Sequence, residues 1–232
     1  MYNFVIYGGA SELIQPLYKK YSDSNFISII KDTRPQISKN VNLISTNDND
    51  WKDDFNESLT SINNNNGLIY INAATYQLEK LFIAHSDEEI SDLININIIN
   101  NIYISKLIIG QMMVPKYGRL INLSSFRSTI ISKGTSLYSS MKSFNNSLFK
   151  SFALEYGRFD ITSNNIIIGF ADTKLLDNLG SEIKHMYKSS IVKNKFLPNE
   201  EFINCIDYLI HSKYLNGSDI DITGGLKLLD YT

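Results

Sequence analysis

The chain has 232 residues, 43% of them hydrophobic and 20% charged, an ordinary globular balance that excludes a disordered or fibrous protein. Its 22 basic and 24 acidic residues leave a net charge of -2, so no overall field favours nucleic acid or an anionic membrane, and the expected partner is a small-molecule substrate. The single cysteine, Cys205, excludes an internal disulfide and a thiolate zinc site and points to a reducing, cytoplasmic setting.

The opening Met1-Tyr-Asn-Phe-Val-Ile-Tyr-Gly-Gly carries no basic stretch and its apolar run stops at glycine, which predicts a strand over residues 3–7 rather than a secretory leader. Leu13, Leu17 and Tyr21 then recur at helical spacing, within a helix predicted over 12–22. Short β-branched or aromatic runs predict further strands at 26–30, 41–45, 67–71, 119–123, 161–168 and 219–222. Helices are predicted at 51–62, 88–114, 136–157, 175–188 and 199–212, while the link from the second strand to the third is too short for a full helix. The Asn63–Asn66 run between a helix and a strand reads as a polar loop. The apolar stretch Leu93–Val114 is broken by Asn95, Asn97, Asn100, Asn101, Lys106 and Gln111, and so reads as a core helix, not a membrane span. Alternating strands and helices predict an α/β fold, a Rossmann-like doubly wound parallel sheet in one domain spanning 1–232. Its cofactor-binding half is expected at about 1–115 and its catalytic and substrate half at about 116–232.

In such a sheet, ligands bind beyond the carboxyl ends of the strands. Gly8-Gly9 lies at the first of these turns, where a chain without side chains approaches a pyrophosphate closely, although two glycines alone mark any tight turn. Tyr138-Ser-Ser-Met-Lys142 places a phenol and an ammonium one turn apart on a helix face. With 14 tyrosines and 18 lysines, about one pair at this spacing arises by chance, and a second exists at Tyr76 and Lys80. Context separates them. Ser125 ends a predicted strand thirteen residues before Tyr138, whereas the same offset from Tyr76 gives Asn63 in a loop. Carbonyl reduction needs a proton donor at the oxygen that gains charge, and Tyr138 supplies one. An ammonium about 4 Å from the phenol contributes roughly 4 kcal/mol at an effective dielectric near 20, which predicts a Tyr138 pKa drawn down towards neutrality. Ser125 is expected to hold the substrate oxygen.

These motifs resemble the short-chain dehydrogenase/reductase family along nearly the whole chain. Tyr7-Gly-Gly-Ala-Ser-Glu-Leu-Ile14 lies where the family has TGxxxGxG, and Ile71-Asn-Ala-Ala74 is similar to NNAG. Asn97 falls where the family's helix-four catalytic asparagine is expected, and Asn164-Asn-Ile-Ile-Ile-Gly-Phe-Ala-Asp-Thr173 is similar to VNxxxPGxxxT. Leu215-Asn-Gly217 and Ile222-Thr-Gly-Gly225 resemble the closing motifs at the family's subunit interface. The resemblance implies an NAD(P)-dependent oxidoreductase interconverting a ketone and a secondary alcohol, with Asn97, Ser125, Tyr138 and Lys142 as catalytic residues. It implies a dinucleotide bound by Gly8, Ser11, Leu13, Asp32, Asn72, Ala73, Ala74, Tyr138, Lys142, Gly169, Ala171 and Thr173, with Lys142 on the ribose. Asp32 favours NAD by hydrogen-bonding a ribose and repelling a 2′-phosphate, whereas Lys31 and Arg34 would attract that phosphate and favour NADP.

The chain departs from the family where Glu12 and Ile14 replace glycines, and where Ala74 and Ile168 replace the glycine of NNAG and the proline before Gly169. Glu12 and Ile14 support an alternative, a catalytically inactive dinucleotide-sensing protein; the complete catalytic set opposes it. His85, His185 and His211 share no ligand spacing, and no metal site is predicted. Phe144, Leu148, Phe152 and Tyr156 form a helix stripe read as core or subunit contact, and a homodimer or homotetramer is expected. Between Thr173 and Pro198, five lysines face two acids, which suits either a lid that draws in an anionic metabolite, such as a sugar derivative or a carrier-bound acyl group, or a solvated helix face.

Overall fold

A computed structural model describes residues 1–31, 40–62, 67–173, 176 and 179–226. Its strands are β1 (Asn3–Tyr7), β2 (Asn25–Ile30), β3 (Val41–Ser45), β4 (Leu68–Asn72), β5 (Gly118–Ser125), β6 (Ile161–Ile168) and β7 (Asp219–Ile222). The helices are α1 (Gln15–Lys20), α2 (Trp51–Ser61), α3 (Asp87–Ile94), α4 (Asn100–Met113), α5 (Ser136–Tyr156), α6 (Ser181–Ser189) and α7 (Asn199–His211). The strands form one parallel sheet in the order β3-β2-β1-β4-β5-β6-β7. This is the doubly wound arrangement expected from the alternating runs.

Strand pleat divides the core between the two faces. Phe4 and Ile6 of β1 pack with Ile121, Leu123 and Ile166 against Leu17 of α1 and Phe202, Ile203 and Ile206 of α7. Val5 and Tyr7, one residue out of phase, pack with Ile27, Tyr70 and Leu120 against Trp51 and Phe55 of α2, Ile104 and Ile108 of α4 and Phe149 of α5. Both faces are covered, so β1 and β4 are almost continuously apolar rather than alternating, while β5 and β6 bury polar residues such as Arg119, Asn122, Asn164 and Asn165.

Three helices differ from expectation. The first begins at Gln15 rather than residue 12, because Pro16 suits a helix start and Ile14 is wholly buried in the core beside Leu17. The predicted 88–114 helix is α3 and α4 joined by a π turn, Asn95–Ile99. The helix predicted at 175–188 is interrupted at Leu179–Gly180, after which α6 runs Ser181–Ser189; residues 174, 175, 177 and 178 lie outside the described residues. The run Asp87–Met113 is long and apolar enough to cross a membrane by length and composition. In this fold it is a covering helix, with Asn97, Asn101, Ile104, Ser105 and Ile108 buried inward.

Candidate active site

Strand order reverses between β2-β1 and β4-β5, so the chain leaves the sheet in opposite directions and opens a crevice above the ends of β1 and β4. Gly8, at the end of β1, has φ +86, and a Cβ there would overlap the backbone of Ala74. A Cβ at Gly9 would overlap the side chains of Ser28 and Tyr18. The two glycines therefore allow β1 and β4 to end side by side, with Ala73 N–H donating to the Tyr7 carbonyl at 2.8 Å.

Two cavities adjoin over this crevice. One, of about 320 Å³, is bounded by Gly8, Ile30, Lys31, Thr46, Ala74 and Ile96 among others. The second, of about 500 Å³, is bounded by Leu13, Ser125, Tyr138, Lys142, Gly169, Ala171 and Thr173 among others. Ser11, Ala73, Thr75 and Tyr76 line both, so the two form one trough from the end of β2 to the end of β6. Of the predicted cofactor residues, Asn72 lines neither cavity, its side chain being turned onto Asn122 of β5, and Asp32 lies outside the described residues together with Arg34. Ser11 and Leu13 line the trough on either side of Glu12, while Ile14 has been absorbed into the core.

The Tyr138 hydroxyl faces the side chains of Ser125 and Thr75, both of which draw its pKa down. Ser125 ends β5 and caps the short turn Phe126–Ser128 by accepting from Arg127 N–H at 3.2 Å. Lys142, one turn along α5, is buried, and its Nζ lies 5.8 Å from the Tyr138 ring centre and donates to the Leu123 carbonyl at 2.9 Å. Burial lowers the Lys142 pKa to about 8. Burial also raises the Tyr138 pKa, against the lowering influence of Ser125, Thr75 and Arg127. The expected shift of Tyr138 towards neutrality is therefore reversed: desolvation of the phenolate outweighs the nearby positive charge and hydrogen bonds.

Asn97 does not line the trough. Its Nδ2 donates to the carbonyls of Leu93 at 2.8 Å and Tyr76 at 2.9 Å, and its Oδ1 accepts from Tyr76 N–H at 3.1 Å. The Leu93 bond competes with the helix ladder and accompanies the π turn, whose Asn97 carbonyl accepts from Asn145 of α5 at 3.0 Å. The side chain holds the Thr75–Tyr76 loop, and through it the partner of Tyr138. The other Tyr-Lys pair is dispersed, with Lys80 on Glu89 at 2.5 Å and the Tyr76 ring under Lys31 Nζ at 5.3 Å.

A third cavity, of about 310 Å³, continues from Tyr138, Ser125 and Gln77 away from the trough. Phe126, Phe170 and Tyr187 of α6 wall it, with Phe170 stacked on Tyr187 at 4.3 Å, and Glu79 and Arg127 are its charged residues among those described. Lys188 turns over Phe196 and is exposed, so α6 presents the aromatic ring of Tyr187 to this cavity, and Lys188 fits the solvated-face alternative. Thr75, Glu79 and Arg127 stand outside every motif the sequence offers; only their positions just past β4 and β5 mark them.

The family described as enoyl-(acyl carrier protein) reductase matches residues 34–227. The 3-oxoacyl-[acyl-carrier-protein] reductase FabG of Buchnera aphidicola subsp. Schizaphis graminum is 31% identical over 162 residues, 69% of this chain and 66% of its own length. FabG of Rickettsia bellii is 28% identical over 153 residues, covering 65% of this chain and 64% of that protein, so the match spans just under two thirds of these relatives. Carbonyl reductase family member 4 of Xenopus tropicalis is 25% identical over 93% of this chain and 90% of its own. The solved structure of 4-hydroxyisoleucine dehydrogenase complexed with NADH superposes with a TM-score of 0.83 at 20% identity, covering 98% of this chain and 99% of that one. That likeness is one of fold.

Proposed function

Because the chain belongs to the short-chain dehydrogenase/reductase family, we propose that it is a nicotinamide-dependent oxidoreductase that interconverts a carbonyl group and a secondary alcohol. One observation carries the reading: the Tyr138 hydroxyl, beside the side chains of Ser125 and Thr75, stands where the trough meets the aromatic cavity, one helical turn from Lys142. The trough suits a dinucleotide because Gly8 and Ala74 leave bare backbone at its floor, and a Cβ at Gly169 would come within 3.1 Å of Thr223. When bound there, the nicotinamide supplies or accepts the hydride.

The chain's own residues handle the proton and the oxygen. Ser125 donates to the substrate oxygen, and Tyr138, protonated at neutral pH by its raised pKa, gives its proton to that oxygen as charge develops. Lys142 holds the ribose beside them, its buried ammonium already oriented by the Leu123 carbonyl. Asn97 acts at one remove, as a positioning residue for the loop carrying Thr75. NAD is the proposed form, on the position of Asp32 in the sequence, two residues beyond the last residue of β2. The protein works as a homo-oligomer, a reading supported by the exposed apolar faces of α4 and α5.

The test is loss of reduced-nicotinamide absorbance against a carbonyl panel, for the wild type and Tyr138→Phe. The variant keeps dinucleotide affinity and loses at least roughly a hundredfold in turnover. Turnover close to wild type would remove Tyr138 from the mechanism. Asp32→Ala is expected to weaken NADH and improve NADPH in parallel titrations; a wild-type preference for NADPH would refute the NAD assignment.

A further inference from the structure

The aromatic cavity beside Tyr138 carries one cation and one anion among its described lining residues, and they are not paired with each other. Arg127 lies two residues beyond Ser125, with its guanidinium over the Phe126 ring at 4.8 Å. Glu79 reaches the cavity from the loop after β4, which is fixed in place by Lys80 N–H donating to Gly134 O at 3.1 Å. The neighbouring ammonium of Lys80 is engaged by Glu89 at 2.5 Å and does not neutralise Glu79. No ion pair within 4.0 Å involves Glu79 or Arg127 among the described residues. Both charges act on the Tyr138 hydroxyl, Arg127 lowering and Glu79 raising its pKa.

The two opposite charges, Glu79 exposed and Arg127 half-buried, stand apart beside the aromatic wall, and a ligand carrying the complementary pair would engage both. A volume of about 310 Å³ lies at the small end of ligand pockets, which run from roughly 300 to 1,000 Å³. Resting on the oxidoreductase reading, we infer that the substrate is a small zwitterion, a short-chain hydroxy amino acid or the corresponding oxo amino acid. Its carboxylate lies on Arg127, its ammonium on Glu79, and its reacting oxygen between Ser125 and Tyr138. The planar guanidinium suits a carboxylate because it can donate two parallel hydrogen bonds, and stacking on Phe126 fixes its plane. A 3-oxoacyl group, as named for the FabG relatives, carries no such pair of charges beside its oxo carbon.

Calorimetric titration of the full chain, preloaded with oxidised dinucleotide, separates the contributions. Four probes are compared: the stereoisomers of threonine, which carry both charges; 3-hydroxybutyrate, with the anion only; 1-amino-2-propanol, with the cation only; and 2-butanol, with neither. The zwitterion is expected to bind tightest. Arg127→Leu should weaken threonine and 3-hydroxybutyrate by roughly tenfold to a hundredfold and spare 1-amino-2-propanol, and Glu79→Gln should do the converse. Dinucleotide affinity, measured in the same samples, reports that each variant is folded. Threonine binding no tighter than 2-butanol, or indifference to both substitutions, overturns the inference. If a neutral ketone is turned over in a Tyr138-dependent way while the zwitterions do not bind, the substrate class fails and the oxidoreductase reading stands. If the zwitterions bind as expected but nothing is turned over, the reverse holds.

Discussion

At the scale of single residues, the site holds two groups that burial pushes in opposite directions from the free state, and each has a measurable consequence. Lys142 titrates normally at 10.5 and in the fold at about 8. Below pH 8 the lysine is charged in both folded and unfolded states, so the full cost of burying the ammonium is present; between pH 8 and 10.5 the unfolded chain binds more protons, and stability rises with pH until that cost is gone. Lys142→Met should therefore stabilise the protein at pH 7 by about 2 kcal/mol after loss of the Leu123 hydrogen bond, raising Tm by roughly 4–8 °C, while removing activity. Thermal scans should show the gain shrinking towards pH 10, and an unchanged or lower Tm at pH 7 would contradict the buried charge. For Tyr138 the sign is opposite: its raised pKa keeps the phenol protonated at neutral pH, so alcohol oxidation, which needs the phenolate, should climb steadily from neutral to alkaline pH. A pH profile of kcat/KM with an acidic optimum in that direction would exclude Tyr138 as base. The identity of these two groups was readable from Ser125, Tyr138 and Lys142 in sequence; the direction of the Tyr138 shift was not, because burial depends on what the loops at 75–79 and 126–130 bring over the ring.

At the scale of elements, the sheet was legible because its strands are written as short runs rich in β-branched and aromatic residues, and all seven are where those runs lie. Helix ends were less so: Ile14 and the Asn95–Ile99 turn owe their state to contacts with residues distant in sequence. The same is true of a row of polar residues that no motif announces. Asn72, Asn122, Asn165 and Asp219 are register partners across β4, β5, β6 and β7. Asn72 donates to Asn122 at 2.9 Å, Asn122 to Asn165 at 2.9 Å, and Asn165 to Asp219 at 2.8 Å. Lys150 of α5 closes the row on Asp219 at 2.6 Å. Because a carboxylate can only accept, Asp219 fixes the direction of the row, and Asn146 joins it to α5, the helix of Tyr138. Asn165→Ala leaves one of the two Asn122 amide protons and one Asp219 oxygen without a partner, a loss of about 2 kcal/mol. Lys150→Ala, at the half-exposed end, should cost less than about 1 kcal/mol. Urea titration of both variants compares them; equal losses would show that the row contributes nothing beyond its surface ion pair.

At the scale of the whole molecule, the outer surfaces of α4 and α5 remain uncovered although both helices pack inward against one face of the sheet. On α5 the outward stripe is Ser140, Phe144, Ser147, Ser151 and Leu154, with Phe144 43% and Leu154 88% exposed. Phe152 and Tyr156, which the sequence placed in the same stripe, turn instead to the core beside Phe149. On α4 the outward side carries Ile102, Gly110 and Met113, with Ile99 of the π turn just before it, and nothing lies within 4 Å of the position a Cβ would occupy at Gly110. Large apolar side chains interspersed with serine and glycine let a second helix pair approach closely, and a self-complementary face of this kind favours two-fold pairing of identical chains. The arrangement also bears on the site, since α5 carries Tyr138 and Lys142 on its inner side and would be clamped between the sheet and a partner copy. Light scattering should give a mass of at least twice 26.4 kDa at micromolar concentration. Phe144→Glu places a carboxylate in the middle of that face, distant from the sheet, and should yield a folded monomer whose turnover falls as α5 loses its outer support. A wild-type mass of 26.4 kDa would refute the pairing, and an unaltered oligomer in Phe144→Glu would move the contact to another surface.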